Sequence, residues 1–278
     1  MTELLRDSVR SVLAAGGDHD SVRAALEEQG WAELVSAEGD AAWRVLFEEA
    51  ATSLSPVHPL ELLFGCPLIY ARVARASGAA RYVVLSDRSV EGTLEAGEVS
   101  LEPAGGIDPD WGLRTARRHA SPRPFPDLDP GLIGRAQVLN SCALLALSER
   151  MLAIAVDHVT TRHQFGRPVG SFQAVKHLLA DCAVELESVR AVLAYASETV
   201  DPVAVTAARA LAGRTSHVVG RAAQQVTGAM GFSWEFPLHR YIRRAHSCDL
   251  MLGPWQAHTR SLGELVLSLP AVPLPGGA

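Results

Sequence analysis

Apolar residues recur at helical spacing over the first part of the chain. The first predicted helix is marked by Leu4, Leu5, Val9, Val12 and Leu13. Gly16 and Gly17 end that helix, and further helices are predicted over about 20–26 and 40–51. A fourth helix is expected to open at Ser55-Pro56. We therefore predict a helical N-terminal subdomain over residues 1–79.

Residues 80–130 follow a different pattern. Short strand-like pieces, RYVVLSD, EGTL and EVSLEP, are separated by glycine and aspartate. The proline-rich run SPRPFPDLDP follows them and cannot continue a helix. About fifty residues is little for an independent β domain. We therefore predict a reduced middle β segment followed by a linker.

From residue 131 the helical pattern returns in longer runs. Residues 132–160 are apolar on more than one face, which indicates burial between neighbouring elements. The later helices are predicted over about 172–199, 202–227, 238 onward and 255–268. Ser171 is expected to cap the first of these, and Asp201 followed by Pro202 the second. Short connections between long helices predict a four-helix bundle over 131–270, with a flexible tail at 271–278.

Composition supports a mainly α fold and narrows the function classes. Hydrophobic residues make up 48% of the chain but aromatic residues only 6%, as expected for helices packed through Ala, Leu and Val. The formal net charge of −6 gives no general attraction to nucleic acid. The N-terminus has no uninterrupted apolar core of a signal peptide, and no run approaches the roughly 20 apolar residues of a membrane span. A cytoplasmic location is expected.

Cysteine and histidine give no metal-binding pattern. The four cysteines are Cys66, Cys142, Cys182 and Cys248. They are widely scattered without a C-x-x-C pair, which is typical of small buried residues in a reducing compartment. The histidines considered for chemistry were His163, His239, His246 and His258. None has a carboxylate at a recognised ligand spacing, so we expect solvated or capping roles for them and no metal site.

Two long motifs carry a family resemblance. The segment TRHQFGRPVGSFQAVKH, residues 161–177, contains Arg162, Phe165, Gly166, Pro168, Phe172 and Gln173 in the pattern R-x-x-F-G-x-P-x-x-x-F-Q. The later segment QQVTGAMGFSWEFPLHRYIRRAH supplies Gln225, Gly228, Gly231, Phe232, Glu235, Phe236, Pro237, Arg240, Arg243 and Ala245. Both patterns resemble signatures of acyl-CoA dehydrogenases, in the order that this family has them. The resemblance covers residues 132–268 strongly and implies an acyl-CoA dehydrogenase-like fold.

The resemblance also implies a cofactor site. Family members bind FAD across a subunit interface, where Arg162 would hold the pyrophosphate, Phe165 would give an apolar face and Gln173 would hydrogen-bond the adenosine. From the facing subunit, the corresponding contacts would come from Gln225, Gly228 and Ala229. The alternative is that these residues only stabilise a corner of the bundle.

The chain departs from the family where the catalytic base belongs. The loop that usually reads E-G-T aligns with Leu252, Gly253 and Pro254, and an alternative base position falls near Ala136. Neither position carries a carboxylate. Asp249 lies one turn before Leu252 and could be a relocated base, but a solvated helix-end carboxylate is the better interpretation. No catalytic residue is therefore predicted in this chain.

In the family, a loop with the pattern T-E-P-x-x-G-S-D and a W-I-T/S segment lie beside the isoalloxazine ring of the flavin. The middle segment of this chain has only a faint match to the loop, LEPAGGID at residues 101–108, and no match to the second segment. The resemblance therefore implies the non-base subunit of an α₂β₂ heterotetrameric, FAD-dependent acyl-CoA dehydrogenase. Its partner subunit would carry the catalytic glutamate, and a steroid-derived CoA thioester is suggested as substrate by analogy alone. Two alternatives stay open: a flavin-free structural or regulatory pseudo-enzyme, and a self-sufficient enzyme that uses Asp249.

Overall fold

The computed structural model describes residues 2–70, 73–75, 80–86, 89–103, 108, 111–124, 129 and 131–268. The N-terminal helices are α1 (Thr2–Ala14), α2 (His19–Glu28), α3 (Trp31–Glu38), α4 (Asp40–Thr52) and α5 (Pro59–Phe64). The C-terminal helices are α6 (Leu132–Thr161), α7 (Gln173–Thr199), α8 (Pro202–Thr227), α9 (Leu238–Leu250) and α10 (Trp255–Ser268). The mainly helical class predicted from the sequence is confirmed. The predicted linker at 125–128 and 130 and the tail at 271–278 lie outside the described residues.

The N-terminal helices differ from the prediction at their starts. The cap of α2 is Asp18, whose carboxylate accepts a hydrogen bond from the Ser21 amide at 2.9 Å. Helix α3 was not predicted, because Gly30 was read as the end of the helical run. Gly30 has φ = 79°, a left-handed conformation that lets the chain stop one helix and start the next at once. Helix α5 begins at Pro59, later than the expected opening at Ser55-Pro56.

The middle of the chain forms a six-stranded sheet. Its strands are β1 (Leu68–Tyr70), β2 (Val73–Arg75), β3 (Arg81–Leu85), β4 (Val90–Glu95), β5 (Val99–Pro103) and β6 (Leu113–Arg118), in the order β4-β3-β1-β2-β6-β5. Only β1 and β3 pair in parallel among these neighbours. The prediction that residues 68–75 belong to the helical subdomain was wrong. Their pattern is too short to separate a strand from a helix by periodicity.

Helix α6 is the centre of the bundle. It packs against α4, α7, α8 and α9, and Ala136, Leu144 and Met151 are fully buried along its length. By length and composition it could cross a membrane, but 78% of its most apolar stretch is buried inside the protein. It is therefore the core helix that its many-sided apolar pattern predicted.

The predicted N-terminal cap was wrong for α7 and correct for α8. Ser171 does not cap α7, because its hydroxyl donates to the Pro168 carbonyl at 2.7 Å and Phe172 occupies the cap position. Asp201 caps α8 as predicted, accepting a hydrogen bond from the Ala204 amide at 2.9 Å. The short loop between the two helices makes them antiparallel neighbours.

A buried arginine joins the three parts of the chain. Arg244, on α9, is 1% exposed and pairs with the carboxylate of Asp108, in the loop before β6, at 2.5 Å. Its guanidinium also donates to the Ser55 carbonyl at 2.9 Å and lies over the Trp111 ring at 4.6 Å. Trp111 in turn stacks on His58 at 4.5 Å. The bundle, the helical subdomain and the middle segment therefore meet at one side chain.

Replacing Arg244 by alanine is expected to destabilise the protein by about 3–5 kcal/mol, because Asp108 would remain as a buried charge without its partner. The control is Arg240→Ala, one turn earlier on α9 and exposed, for which a change within about 0.5 kcal/mol is expected. Denaturant midpoints measure both. A double variant, Arg244→Met with Asp108→Leu, should regain most of the loss, and equal midpoints for the two single variants would contradict the assignment.

Candidate cofactor-binding site

The first motif forms a small hairpin between α6 and α7. The strands β7 (His163–Gln164) and β8 (Arg167–Pro168) pair around Phe165 and Gly166, which have φ values of 54° and 76°. Consecutive positive φ angles are typical of the tight turns that suit a two-residue hairpin. Phe165 is held at the tip of this turn with 89% of its surface exposed.

Side chains of the hairpin are ordered by aromatic contacts, whereas Arg162 is available for a ligand. Arg167 lies over the Phe172 ring at 4.1 Å, and that ring meets Phe165 edge to face at 6.1 Å. Arg162 is exposed and has no ion-pair partner among the residues that the structure describes. Burial and the positive charge of Arg162 lower the pKa of His158, one turn earlier on α6.

The second motif follows α8 and lies at the same end of the bundle. The last turn of α6 reaches it through His158, whose ring meets Phe236 edge to face at 5.5 Å. Gly228 ends α8 with φ = 57° and ψ = −139°, a conformation available essentially only to glycine. At Gly231 an added Cβ atom would lie 2.1 Å from the hydroxyl oxygen of Thr227, so packing also requires glycine there.

The six predicted contacts therefore share one end of the bundle, which we call the cofactor corner: Arg162, Phe165, Gln173, Gln225, Gly228 and Ala229. All six are exposed. An unpaired guanidinium, two amide side chains and an open glycine turn form a donor set that suits an anionic nucleotide. A Cβ atom added at Gly228 would meet no atom of the described residues within 4 Å, so the space beside this glycine is open to a ligand. The residues fit FAD, and their exposure suits a site that a second protein surface completes.

The two positions for a catalytic base are occupied by buried apolar side chains. Leu252 and Ala136 are both 0% exposed, and neither can accept a proton. The backbone around Leu252 is fixed by Arg209, whose guanidinium donates to the carbonyls of Asp249 at 2.5 Å and Gly253 at 2.7 Å. His258 binds the Leu252 carbonyl at 2.7 Å. The loop is thus held by structural hydrogen bonds.

Asp249 is not a solvated carboxylate, so that interpretation was wrong. It is 3% exposed, and its carboxylate binds Arg209 at 3.0 Å, His217 at 3.2 Å and the Trp255 amide at 3.2 Å. Burial alone would raise the pKa of Asp249, but hydrogen bonds from His217 and Arg209, with the charge of Arg209, hold that pKa below its ordinary value. A carboxylate held ionised by a buried arginine is a structural group and a poor general base.

The histidines divide into turn-binding and buried groups. His163 and His239 bind the carbonyls of Thr161 and Phe236 at 3.0 and 2.8 Å, which matches the capping role expected for them. His258 is 1% exposed and binds the Leu252 carbonyl at 2.7 Å, so it is not solvated, and the role it has is a hydrogen bond to the backbone. Across the described ranges, no group of three His, Cys, Asp or Glu side chains is placed to hold a metal ion.

A small cavity lies between α4, α5, α6 and α9, on the inner side of the bundle. Its volume is about 20 Å³, enough for about one water molecule. Trp111 and Arg244 are among the residues that line it. Sequence reasoning did not predict this arrangement, but one signal was available: Arg244 stands where the family motif R-D-A has an aspartate. An arginine where the motif has an aspartate indicates that the side chain at this position pairs with an acid, as Arg244 does with Asp108.

Sequence comparisons relate the C-terminal helices to a known protein family. Residues 133–267 match the family described as acyl-CoA dehydrogenase, C-terminal domain. Acyl-CoA dehydrogenase IpdE2 of Mycobacterium tuberculosis is 32% identical over 167 residues, which are 60% of this chain and 52% of that protein. The chain thus spans about half the length of the curated relatives it matches.

Two solved structures share the fold over nearly their whole length. A variant of the Tcur3481-Tcur3483 steroid ACAD has a TM-score of 0.75 and 21% identity, and covers 96% of this chain and 97% of its own. The ChsE4-ChsE5 complex from Mycobacterium tuberculosis has a TM-score of 0.72 and 19% identity, with coverages of 97% and 98%. The fold is that of acyl-CoA dehydrogenases. Residues 133–267 are similar to the C-terminal domain of the acyl-CoA dehydrogenase family.

The structure predicts that Asp249→Asn acts on stability. Arg209 would lose its counter-charge, so a loss of about 3–5 kcal/mol is expected near neutral pH. The folded pKa of Asp249 is lowered, so its stabilising contribution is present above the ordinary value of 3.8 and is lost as pH falls through the folded pKa. The stability difference between wild type and variant should therefore narrow below about pH 4.

Denaturant midpoints at several pH values measure this effect. The control is Asp181→Asn, an exposed acid on α7, for which little change is expected at any pH. A stability gap that stays constant down to pH 2, or an Asp249→Asn protein as stable as wild type at pH 7, would show that the buried pair does not hold the loop.

Proposed function

We propose that this chain is the non-base subunit of a heteromeric, FAD-dependent acyl-CoA dehydrogenase, which forms an α,β-double bond in a CoA thioester. The α-proton would leave to a carboxylate of the partner subunit. FAD, when bound, supplies the acceptor for the hydride that leaves the β-carbon. This chain would contribute cofactor contacts and an assembly surface.

The observation that carries the proposal is the pairing of a preserved cofactor corner with lost base positions. A self-sufficient enzyme needs a carboxylate close to the substrate α-carbon. Leu252 and Ala136 supply none, and the carboxylate of Asp249 is engaged by Arg209 and His217. A pure scaffold has no need of the exposed, unpaired Arg162. The combination favours a subunit that binds cofactor but leaves proton abstraction to its partner.

At the cofactor corner, Arg162 would bind the pyrophosphate through its guanidinium fork, and Phe165 would cover an apolar face of the nucleotide. Gln173 would hydrogen-bond the adenosine. Gln225, Gly228 and Ala229 would contact a nucleotide held by the facing subunit. Because all six residues are exposed, we assign the missing part of the site to that second subunit.

The comparisons support the partner and substrate class by analogy. The ChsE4-ChsE5 complex contains two differently named proteins, and the Tcur3481-Tcur3483 protein is described as a steroid ACAD. We therefore propose a heterotetramer with an acyl-CoA dehydrogenase partner and a steroid-derived thioester as substrate. All four cysteines are free thiols, in keeping with the proposed cytoplasmic location.

Co-expression with an acyl-CoA dehydrogenase chain encoded beside this one tests assembly. We expect a stable complex with a flavin absorption spectrum, and little or no flavin on this chain alone. Replacing the partner's base glutamate by glutamine should lower turnover by roughly 10²–10⁴-fold with flavin retained. A fully active yellow homo-oligomer of this chain would exclude the heteromeric assignment, and a stable colourless complex would favour the flavin-free alternative.

Arg162→Ala in that complex should lower FAD occupancy, because a charge-assisted contact to phosphate contributes roughly 1.5–3 kcal/mol, or about 10–150-fold in affinity. Arg260→Ala, an exposed arginine on α10 outside both motifs, is the matched control and should keep full occupancy. Flavin absorbance per complex gives the readout. Unchanged flavin content and activity in Arg162→Ala would make Arg162 a structural residue.

A further inference from the structure

A second region of the surface, away from the cofactor corner, is rich in cations. A cleft of about 630 Å³ opens between α1, α4, α6, α7 and α9, within the volume range of roughly 300–1,000 Å³ that small-molecule sites occupy. We call it the arginine cleft, after its lining residues Arg6, Arg10, Arg44, Arg150 and Arg190. The whole chain carries a net charge of −6, so this local concentration of positive charge is not an effect of composition.

Two carboxylates on α4 compensate the arginines of one wall only in part. Glu48 accepts hydrogen bonds from Arg6 and Arg44, both at 2.8 Å. Glu49, which is 5% exposed, accepts from Arg6 at 2.6 Å and from Arg10 at 3.0 Å. Three guanidinium groups thus share two carboxylates, which leaves one positive charge in excess on this wall.

The opposite wall adds a second uncompensated charge. Glu149 pairs with Arg190 at 2.6 Å, but Arg150 has no carboxylate partner in the described part of the chain. Its guanidinium lies 5.7 Å from the centre of the Tyr241 ring, with Nε 3.5 Å from the hydroxyl oxygen. The lining therefore holds five cations and three carboxylates, a net charge of 5 − 3 = +2.

Two further acids approach these arginines from outside the cleft. Asp7 lies 3.5 Å from Arg10, and Glu187 pairs with Arg190, but neither acid lines the cleft. Their side chains are 69% and 71% exposed, so water screens their charges strongly. Arg10 and Arg190 are themselves 55% and 43% exposed and are screened as well, so the cation that remains available to a ligand is Arg150, which has no carboxylate partner in the described part of the chain.

A second cavity of about 390 Å³ adjoins the arginine cleft, and its lining is mostly apolar but includes the ion pair of Arg135 and Asp40 and the carboxylate of Asp129. Arg44 and Cys142 line both spaces, which places the two cavities side by side along α4 and α6. The apolar lining of the second cavity comes from Ala41, Val138, Leu139, Ala196 and Val200. Together the two cavities have one end rich in arginine and one end that is mostly apolar.

We propose that these joined cavities bind an amphipathic organic anion, with its carboxylate at Arg150 and Arg44 and its apolar body against Val138, Leu139 and Val200. A guanidinium binds a carboxylate by a directed fork, and the apolar walls gain from displacing water. A structural clip between α1 and α4 would account for Arg6 and the buried glutamates. It would not involve Arg150, whose guanidinium contacts the Tyr241 side chain but has no carboxylate partner among the described residues. The site is independent of the cofactor corner and of the proposed function.

Sodium decanoate is a suitable probe, and isothermal titration calorimetry on the full chain measures its binding. Decanoate should bind at least about tenfold more tightly than decanol, which has the same apolar body without charge, and more tightly than acetate, which has the head group alone. Arg150→Ala should weaken decanoate binding about tenfold or more. Arg260→Ala, the matched exposed arginine, should leave it unchanged.

Val200→Asn tests the apolar end without endangering the fold. Val200 is 48% exposed with φ = 50°, a conformation that asparagine tolerates better than valine. This variant should weaken decanoate binding and leave acetate binding unchanged. Decanoate that binds Arg150→Ala as tightly as wild type, or that binds no better than decanol, overturns the proposal, and such a result also locates any remaining binding in another site.

Discussion

The buried pair of Arg244 and Asp108 is the contact on which the arrangement of the chain depends. Removing an arginine and a carboxylate from water is unfavourable unless both are well paired. Here the pairing is complete only when the bundle, the helical subdomain and the loop before β6 meet, since Ser55 and Trp111 complete the surroundings of the guanidinium. The Arg244 side chain is therefore fully paired, and the protein stable, only when these three parts are correctly placed.

The same arginine changes what the inner side of the bundle can do. Arg244 and Trp111 line a cavity with room for about one water molecule, and the two positions where the family has its base, Leu252 and Ala136, hold buried apolar side chains. Leu252 and Ala136 therefore contribute to packing and cannot accept a proton. The proposed cofactor contacts lie elsewhere, at the exposed end of the bundle, where Arg162 has no ion-pair partner within the described ranges.

Long helices, their order and the cap at Asp201 followed from the sequence because each depends on local spacing. The strands at 68–75 did not, since three-residue strands have no usable periodicity. The two motifs predicted which residues form the cofactor corner, and their binding of FAD stays a prediction; the surroundings of Asp249 could not be predicted. Its surroundings come from Arg209 and His217, forty and thirty-two residues away along the chain, and such long-range partners leave no local pattern.

In the proposed complex, the exposure of all six corner residues would link flavin loading to the amounts of both chains. When two protein surfaces must meet around one cofactor, the amount of finished complex depends on the product of both chain concentrations, and mass action makes that dependence steep. A shortage of either chain would then empty both of flavin together. The surplus chain would carry no redox-active group that could reduce oxygen, so in the proposed complex flavin loading would require synthesis of the two subunits in equal amounts.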